Sequence, residues 1–283
     1  MHAVYWSNTN AETGSGQLAL SRSGHLAYAL GGVYPERRRA AVRITPQGDT
    51  VPLAVDSAQY IQLRGSPDGR RIAFVTGWGP WQVSIHELAR GVTQRLEIDG
   101  YHTFPVAWSP DGRSIAFGID GEVWTASADG ASAQEVLAAG GRPRRLQSWS
   151  PNGDLAWLRP GETAEPGEYQ EDIWIMSEGG EEAPFFESKA NEGWATFSPD
   201  GRWIAYVSNQ SGSLEVYARP YPGPGSPTQL SSDGGINPAW SPDGQRLYYL
   251  SPGIEGGWVL MGVNIDPGDG FRPGRPFPVL EGW

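Results

Sequence analysis

Apolar and polar residues follow one another in short runs along the whole chain, and these runs predict β-strands. The clearest cover residues 71–75, 114–117, 203–207 and 246–250, and each is rich in β-branched or aromatic residues. Short runs of this composition, bounded by turn-forming residues, are typical of strands. No segment of about 11 or more residues has a helical period, so we predict a protein without long helices.

A four-residue corner precedes each of these runs. Its first serine is residue 21, 66, 109, 150, 198 or 241, and the sequence is Ser-Pro-Asp-Gly in four copies, Ser-Pro-Asn-Gly at 150 and degenerate at 21. Proline presets φ, aspartate or asparagine bonds the backbone two residues on, and glycine takes the left-handed conformation. Four short strands in each unit of about 40–45 residues are typical of a propeller blade.

We therefore predict an all-β fold, a six-bladed β-propeller of four-stranded antiparallel blades around a central channel, in a single domain over residues 1–283. The predicted blades are approximately 12–55, 56–98, 99–139, 140–189, 190–232 and 233–283, with 1–11 as a closing strand. The alternatives are a β-solenoid, which has shorter periods, and two sandwiches, which would not repeat one corner six times.

The junction between the first and last blades needs a lock, because an unlocked junction leaves an open sheet edge. Residues 274–283 are predicted to hold the outer strand of blade six. Residues 4–6 are predicted to pair beside it as a clasp.

The corner, the Ile-Ala-Phe/Tyr strand after it and the spacing of the copies resemble the TolB-type, WD40-like propeller repeat. Residues 191–208 and 215–225 are similar to propellers in the C-terminal part of bacterial serine/threonine kinases. No kinase part is present, since there is no glycine-rich loop with a downstream catalytic loop. The resemblance implies a bacterial sensing or docking module, and it carries no catalytic motif.

The composition of the chain limits the classes of partner that we expect it to bind. A formal net charge of -11 argues against nucleic acid, because phosphate binding needs clustered cations. The first eight residues lack a basic start and an apolar stretch, which predicts no secretory signal and a cytoplasmic location by default, although relatives are often extracytoplasmic. No apolar run approaches the ~18 residues that span a bilayer. We expect a monomer whose partner is a protein or a small molecule.

The two faces of a propeller differ. Connections between blades and loops between second and third strands share one face, and the corners lie on the other. The corner aspartates Asp68, Asp111, Asp200 and Asp243 are therefore predicted to be turn residues. Among the tryptophans, packing between blades is predicted for Trp108, Trp149, Trp203 and Trp240.

The loop-rich face carries a candidate ligand rim. Aromatic side chains beside glycine-rich loops suit binding of a peptide, a glycan or another protein. The rim residues are Tyr60, Trp78, Trp81, Tyr101, His102, Arg144, Tyr169 and Trp194. For Trp78 and Trp81, packing between blades is the alternative.

The same face carries a candidate metal site. Its predicted ligands are His102, Glu192, Asp233 and Asn237, which suit calcium or a transition metal in the central channel. The alternative is that the Asp-Gly pairs here form turns and that Glu192 is solvated. No histidines have zinc-motif spacing, no Gly-x-Ser-x-Gly elbow occurs, and cysteine is absent.

Two function classes follow. The first is a non-catalytic recognition or sensor propeller that binds a protein or small ligand at the loop-rich face. The second is a lyase or a metal-assisted hydrolase of esters, lactones or phosphotriesters, with the metal at the channel mouth, which the fold permits by analogy. A purely structural scaffold is indistinguishable from the first by sequence.

Overall fold

The computed structural model describes residues 18–20, 26–29, 40–44, 50–58, 60–77, 81–98, 102–119, 122–131, 135–138, 145–160, 170–186, 188–253, 257–266 and 270–280. The chain divides into two compact units, Met1–Trp149 and Ser150–Trp283. Across the described ranges every regular element is a strand. The predicted all-β class is confirmed.

The first unit contains three four-stranded antiparallel sheets, each formed by four consecutive strands, and the further strand β13. Its strands are β1 (Leu18–Leu20), β2 (Leu26–Ala29), β3 (Ala41–Ile44), β4 (Thr50–Pro52), β5 (Tyr60–Gly65), β6 (Arg71–Thr76), β7 (Gln82–Glu87), β8 (Val92–Arg95), β9 (His102–Trp108), β10 (Ser114–Ile119), β11 (Glu122–Ser127), β12 (Glu135–Ala138) and β13 (Arg145–Trp149). The sequence order within each sheet means that hairpin connections join neighbouring strands.

The second unit repeats this pattern. Its strands are β14 (Leu155–Pro160), β15 (Glu171–Met176), β16 (Glu182–Pro184), β17 (Glu192–Phe197), β18 (Trp203–Ser208), β19 (Glu215–Pro220), β20 (Thr228–Gln229), β21 (Ile236–Trp240), β22 (Arg246–Pro252), β23 (Trp258–Asp266), β24 (Arg272–Pro273) and β25 (Phe277–Leu280). Strands β14 to β16 pair in order, as do β17 to β20, and both β24 and β25 pair with β23. We number the repeats one to six by their corners.

The strand predictions are accurate to within two residues where they are compared directly. The runs predicted as strands at 71–75, 114–117, 203–207 and 246–250 correspond to β6, β10, β18 and β22. The predicted outer strand at 274–283 contains β25, which pairs with β23. The predicted clasp at residues 4–6 lies outside the described residues.

The corners are hydrogen-bonded turns, as predicted. In each, the serine hydroxyl donates to the aspartate Oδ1 at 2.5 or 2.6 Å and accepts from the backbone N–H five residues on at 2.8–3.0 Å. The glycine N–H donates to the serine carbonyl at 2.9 Å, with φ of 69° or 70°. These corners begin at Ser66, Ser109, Ser198 and Ser241. The corner aspartates are therefore turn residues.

Buried polar contacts join neighbouring repeats inside each unit. The indole N–H of Trp108 donates to the Arg64 carbonyl at 2.9 Å, and that of Trp240 to the Thr196 carbonyl at 3.2 Å. Both tryptophans are buried, which confirms that they pack between repeats. In the first unit Gln62 on β5 forms hydrogen bonds with both the N–H and the carbonyl of Val106 on β9.

Candidate functional site

The first strand of several repeats has a β-bulge near its N-terminal end. Register shifts occur in β17 between Gly193 and Thr196 and in β21 between Ile236 and Ala239. Related irregularities affect β5 and the β9–β10 pair. Bulges re-aim side chains and are frequent next to active sites.

In the second unit the bulges hold Trp194 and Asn237 in the left-handed backbone region, with φ of 50° and 55°. Each lies four residues before a corner serine, so they occupy equivalent positions in repeats five and six. Left-handed backbone at a non-glycine residue costs on the order of 1–3 kcal/mol, and such strain clusters at functional sites. The N-terminal ends of β17 and β21 therefore form the candidate functional site.

Glu192 begins β17 and is completely buried. Its Oε1 accepts a hydrogen bond from the Ser188 hydroxyl. Its Oε2 makes no hydrogen bond of good geometry to a described residue, although the side chains of Asp172 and Ser208 lie close enough to shift its pKa. A buried polar group left unpaired costs about 1–3 kcal/mol, so this oxygen is a candidate ligand contact.

The electrostatic surroundings of Glu192 favour its neutral form. Burial raises the pKa of Glu192 to about 8; the hydrogen bond from Ser188 opposes this shift, and the charge of Asp172 adds to it. Burial also raises the pKa of Tyr206, whose hydroxyl is buried without a hydrogen-bond partner among the described residues. At neutral pH Glu192 is therefore mostly protonated.

Repeat six has another buried polar side chain, Asn237, at the position equivalent to Trp194. Its side chain is buried, and its Oδ1 has no hydrogen-bond partner within the described part of the chain. Strand β21, which carries it, contacts β17. Adjacent strands therefore each present a buried oxygen without a partner near the same end.

Glu215 differs from Glu192 although both are buried at the start of a strand. The Ser213 hydroxyl and the Gly234 N–H donate to its Oε1 at 3.1 and 3.0 Å. The Ser231 hydroxyl donates to its Oε2. This carboxylate fixes residues 231–234 beside β19, which is a structural role. Sequence analysis overlooked it, although an acid at the start of a strand was the available signal.

Comparison with known proteins identifies the fold. Neither a sequence-family model nor a curated protein matches the chain. TolB from Acinetobacter baumannii superposes with a TM-score of 0.70 at 19% identity, over 91% of this chain and 64% of that one. This chain thus spans less than two thirds of that TolB. The chain has a β-propeller fold.

Two further structures agree with this assignment. A protein assigned as TolB from Agrobacterium tumefaciens gives a TM-score of 0.67 at 16% identity, covering 82% of this chain and 84% of that one. An oligogalacturonate lyase in complex with manganese gives 0.56 at 12% identity, covering 89% and 75%. At these identities the likeness establishes the fold alone, a propeller of four-stranded antiparallel blades. No helix within the described ranges is long and apolar enough to cross a membrane.

Three predicted rim residues of this propeller have described side chains, and none is exposed. Tyr60 is buried, packs edge-on against Phe74 with ring centroids 5.5 Å apart, and donates to the Asp56 carbonyl at 2.5 Å. Burial, and then the charge of Asp56, raise the pKa of Tyr60 to about 12. Trp194 is buried, and half-buried Trp81 packs against the core. The Tyr60 and Trp194 rings therefore lie inside the fold, and Trp81 is half-buried against it.

The remaining rim predictions are untested. Trp78, Tyr101, Arg144 and Tyr169 lie outside the described residues, as does the side chain of His102. The backbone of His102 begins β9 in the first unit.

The predicted metal ligands of this propeller differ in burial. Glu192 and Asn237 are buried, whereas Asp233 is exposed. Among residues with described side chains, no group of three or more histidine, cysteine, aspartate or glutamate side chains is placed to hold a metal ion. The metal site predicted from His102, Glu192, Asp233 and Asn237 stays a prediction.

Proposed function

We propose that this propeller is a non-catalytic recognition module that binds a small polar ligand, or a polar loop of a protein, at the N-terminal ends of β17 and β21. The observation that carries the proposal is a pair of buried oxygens, Glu192 Oε2 and Asn237 Oδ1, that make no hydrogen bond of good geometry within the described part of the chain. Both follow the connections between blades, on the face where the loops differ from repeat to repeat.

The chemistry of the two oxygens selects the ligand class. The Asn237 oxygen accepts hydrogen bonds only, and a protonated Glu192 both donates and accepts. Because Glu192 is mostly neutral at pH 7, the matching ligand groups are amides and hydroxyls, as in peptides and glycans. Each recovered hydrogen bond offsets the cost of about 1–3 kcal/mol for an unpaired buried group.

We also propose that the chain has six blades, one for each corner. A sensing or docking role agrees with the resemblance to kinase-linked propellers, which implies that such domains bind ligands for a partner domain. The overall acidity of the chain favours neutral or cationic partners over anionic ones.

A thermal-shift screen tests this function. The full chain is melted with a panel of N-acetylated dipeptide amides and neutral oligosaccharides at neutral pH. A ligand present at about 100 times its dissociation constant stabilises the protein by about 2.7 kcal/mol, which raises its melting temperature. We expect at least one compound to do so.

Two variants connect such a hit to the proposed site. Asn237→Gly removes the side-chain oxygen and keeps the left-handed backbone available, and Glu192→Ala removes the acid. Both should lose the stabilisation by the hit, whereas Gln229→Ala on the exposed outer strand β20 should keep it. A hit that stabilises all three variants equally contradicts the proposal, as does the absence of any hit.

A lyase or metal-assisted hydrolase is the second candidate, because Glu192 and Asn237 supply two oxygen donors on neighbouring strands. Metal analysis of untagged protein tests it, together with an activity screen on esters, lactones, phosphotriesters and acidic oligosaccharides before and after chelation. Stoichiometric metal with chelator-sensitive turnover favours this candidate over recognition. Glu192→Gln and His102→Ala should then each abolish turnover.

A further inference from the structure

A groove of about 270 Å³ lies between repeats five and six, at the end of the strands that carries the corners. Its aromatic wall is formed by Trp203, Phe271 and Trp240. The Phe271 ring centroid is 4.6 Å from that of Trp203 and 6.2 Å from that of Trp240. Small-molecule pockets usually have about 300–1,000 Å³, so this groove suits a single side chain.

The charges along the groove favour a cation. Asp200, Asp243 and Asp266 line it, and Arg202 is the one basic residue among its described lining residues. Arg202 is engaged by Asp200, with Nε and Oδ2 at 2.7 Å. The hydrogen bond from Ser241 lowers the pKa of Asp243, so this exposed carboxylate is ionised at neutral pH. Aromatic faces beside carboxylates are a favourable setting for a cationic group.

The same chain fills an equivalent position with its own arginine. In the first unit, between repeats two and three, the Arg71 guanidinium lies 5.0 Å from the Trp108 ring centroid. Its Nη2 donates to the Gly112 carbonyl at 2.6 Å. Arg71 is the fifth residue after its corner serine, Trp108 precedes the next corner serine, and Gly112 closes that corner.

Between repeats five and six these three positions are Trp203, Trp240 and Gly244. The tryptophan and the glycine are retained, but the arginine is replaced by Trp203. A Cβ placed on Gly112 would have Arg71 Nη2 at 3.6 Å, whereas one placed on Gly244 would meet only Pro199 Cδ, at 3.8 Å, within 4 Å. The second location therefore has no internal guanidinium, and the Phe271 ring packs there against both tryptophans beside the groove.

We propose that the groove between repeats five and six binds an arginine side chain from a partner protein. The guanidinium stacks on the aromatic wall. It donates to the Gly244 carbonyl, as Arg71 donates to the Gly112 carbonyl, and Asp243 neutralises its charge. A planar guanidinium suits this arrangement better than an ammonium, because it stacks on aromatic faces and presents several donors in one plane. This site is on the corner side and is independent of the function proposed above.

Peptide titration of the full chain, labelled with nitrogen-15 in its indoles, tests the proposal. The probes are acetyl-Gly-Arg-Gly-amide and its lysine and citrulline counterparts, and Trp203→Phe and Trp240→Phe assign the two indole signals. We expect the arginine peptide to shift both signals and to bind at least about tenfold more tightly than the citrulline peptide, a ratio that corresponds to about 1.4 kcal/mol. Absent shifts, or equal shifts with citrulline, would overturn the proposal.

Three variants make the test specific. Trp203→Arg places an internal guanidinium where Arg71 has one, and should reduce binding of the arginine peptide at least about tenfold while the protein stays folded. Asp243→Asn should weaken binding, whereas Asp111→Asn, the same corner change beside the groove that Arg71 occupies, should not. Unchanged binding in Trp203→Arg, or equal effects of the two asparagine variants, would overturn the proposal.

Discussion

At the scale of single residues, burial sets the properties of Glu192. It is enclosed at the start of β17 with one oxygen bonded to Ser188. The charge of Asp172 raises the pKa of Glu192. The charge of Arg219 acts on Tyr206, whose pKa it lowers. Desolvation disfavours the carboxylate more than the hydrogen bond stabilises it.

This predicts a specific pH dependence of stability in metal-free protein. The folded state keeps the Glu192 proton up to about pH 8, whereas the unfolded chain releases it near the usual value of 4.5. Between these values the folded state binds more protons, so the free energy of unfolding falls as pH rises. Urea denaturation at several pH values between 5 and 9 measures that slope.

Glu192→Gln should reduce this slope, because the amide imitates the neutral acid at every pH. The exposed control Glu135→Gln should keep it. If wild type and Glu192→Gln show the same slope, the carboxyl does not hold its proton in the folded protein.

At the scale of elements, the corner is stabilised almost entirely by local hydrogen bonds. Serine, aspartate and glycine form their hydrogen bonds within six consecutive residues, which is why the sequence motif alone predicts the turn. Ser109→Ala removes the donor to Asp111 and the acceptor for the Ser114 N–H. We expect it to lower the free energy of unfolding by about 1–2 kcal/mol, measured by urea denaturation.

The exposed serine Ser211 provides the control for this corner. Ser211→Ala should change stability by less than about 0.5 kcal/mol. Equal effects of the two substitutions would mean that the corner hydrogen bonds do not contribute to stability.

Contacts between sheets depend on long-range pairing. The Val106 N–H donates to the Gln62 Oε1 at 2.6 Å, and the Gln62 Nε2 donates to the Val106 carbonyl at 3.3 Å. Gln62→Ala leaves both groups unpaired and a cavity, so we expect a loss of about 2–4 kcal/mol by urea denaturation.

Gln94→Ala is the matched control for Gln62→Ala. Gln94 is exposed, although it also donates to a backbone carbonyl. Its removal should cost less than about 0.5 kcal/mol. A comparable loss in both variants would contradict a special role for the buried glutamine.

At the scale of the whole molecule, a propeller needs a lock between its first and last blades, because an unlocked junction leaves an open sheet edge. Strand β25 supplies an outer strand to repeat six, and the clasp hypothesis adds residues 4–6 beside it. Deleting residues 1–8 should lower the melting temperature by several degrees, since each kcal/mol moves it by about 2–4 °C for a domain of this size. An unchanged melting curve would rule out the clasp.

Features that arise from local interactions can be predicted from the sequence. Corners, short strands and their antiparallel order follow from proline, glycine and alternating runs, because these act over a few neighbouring residues. The sequence does not distinguish Glu192 from Glu215, since both are acids at the first position of a strand.

The behaviour of such residues depends on how the folded chain packs around them. Both oxygens of Glu215 accept hydrogen bonds, whereas within the described residues Glu192 Oε2 makes none of good geometry. Tyr60 and Trp194 are buried and not part of an exposed rim. These outcomes depend on side chains distant in sequence and on bulges in the first strands. Contacts between neighbouring repeats likewise decide what lies beside a corner. An internal arginine packs there at Arg71, whereas a groove lies beside Trp203.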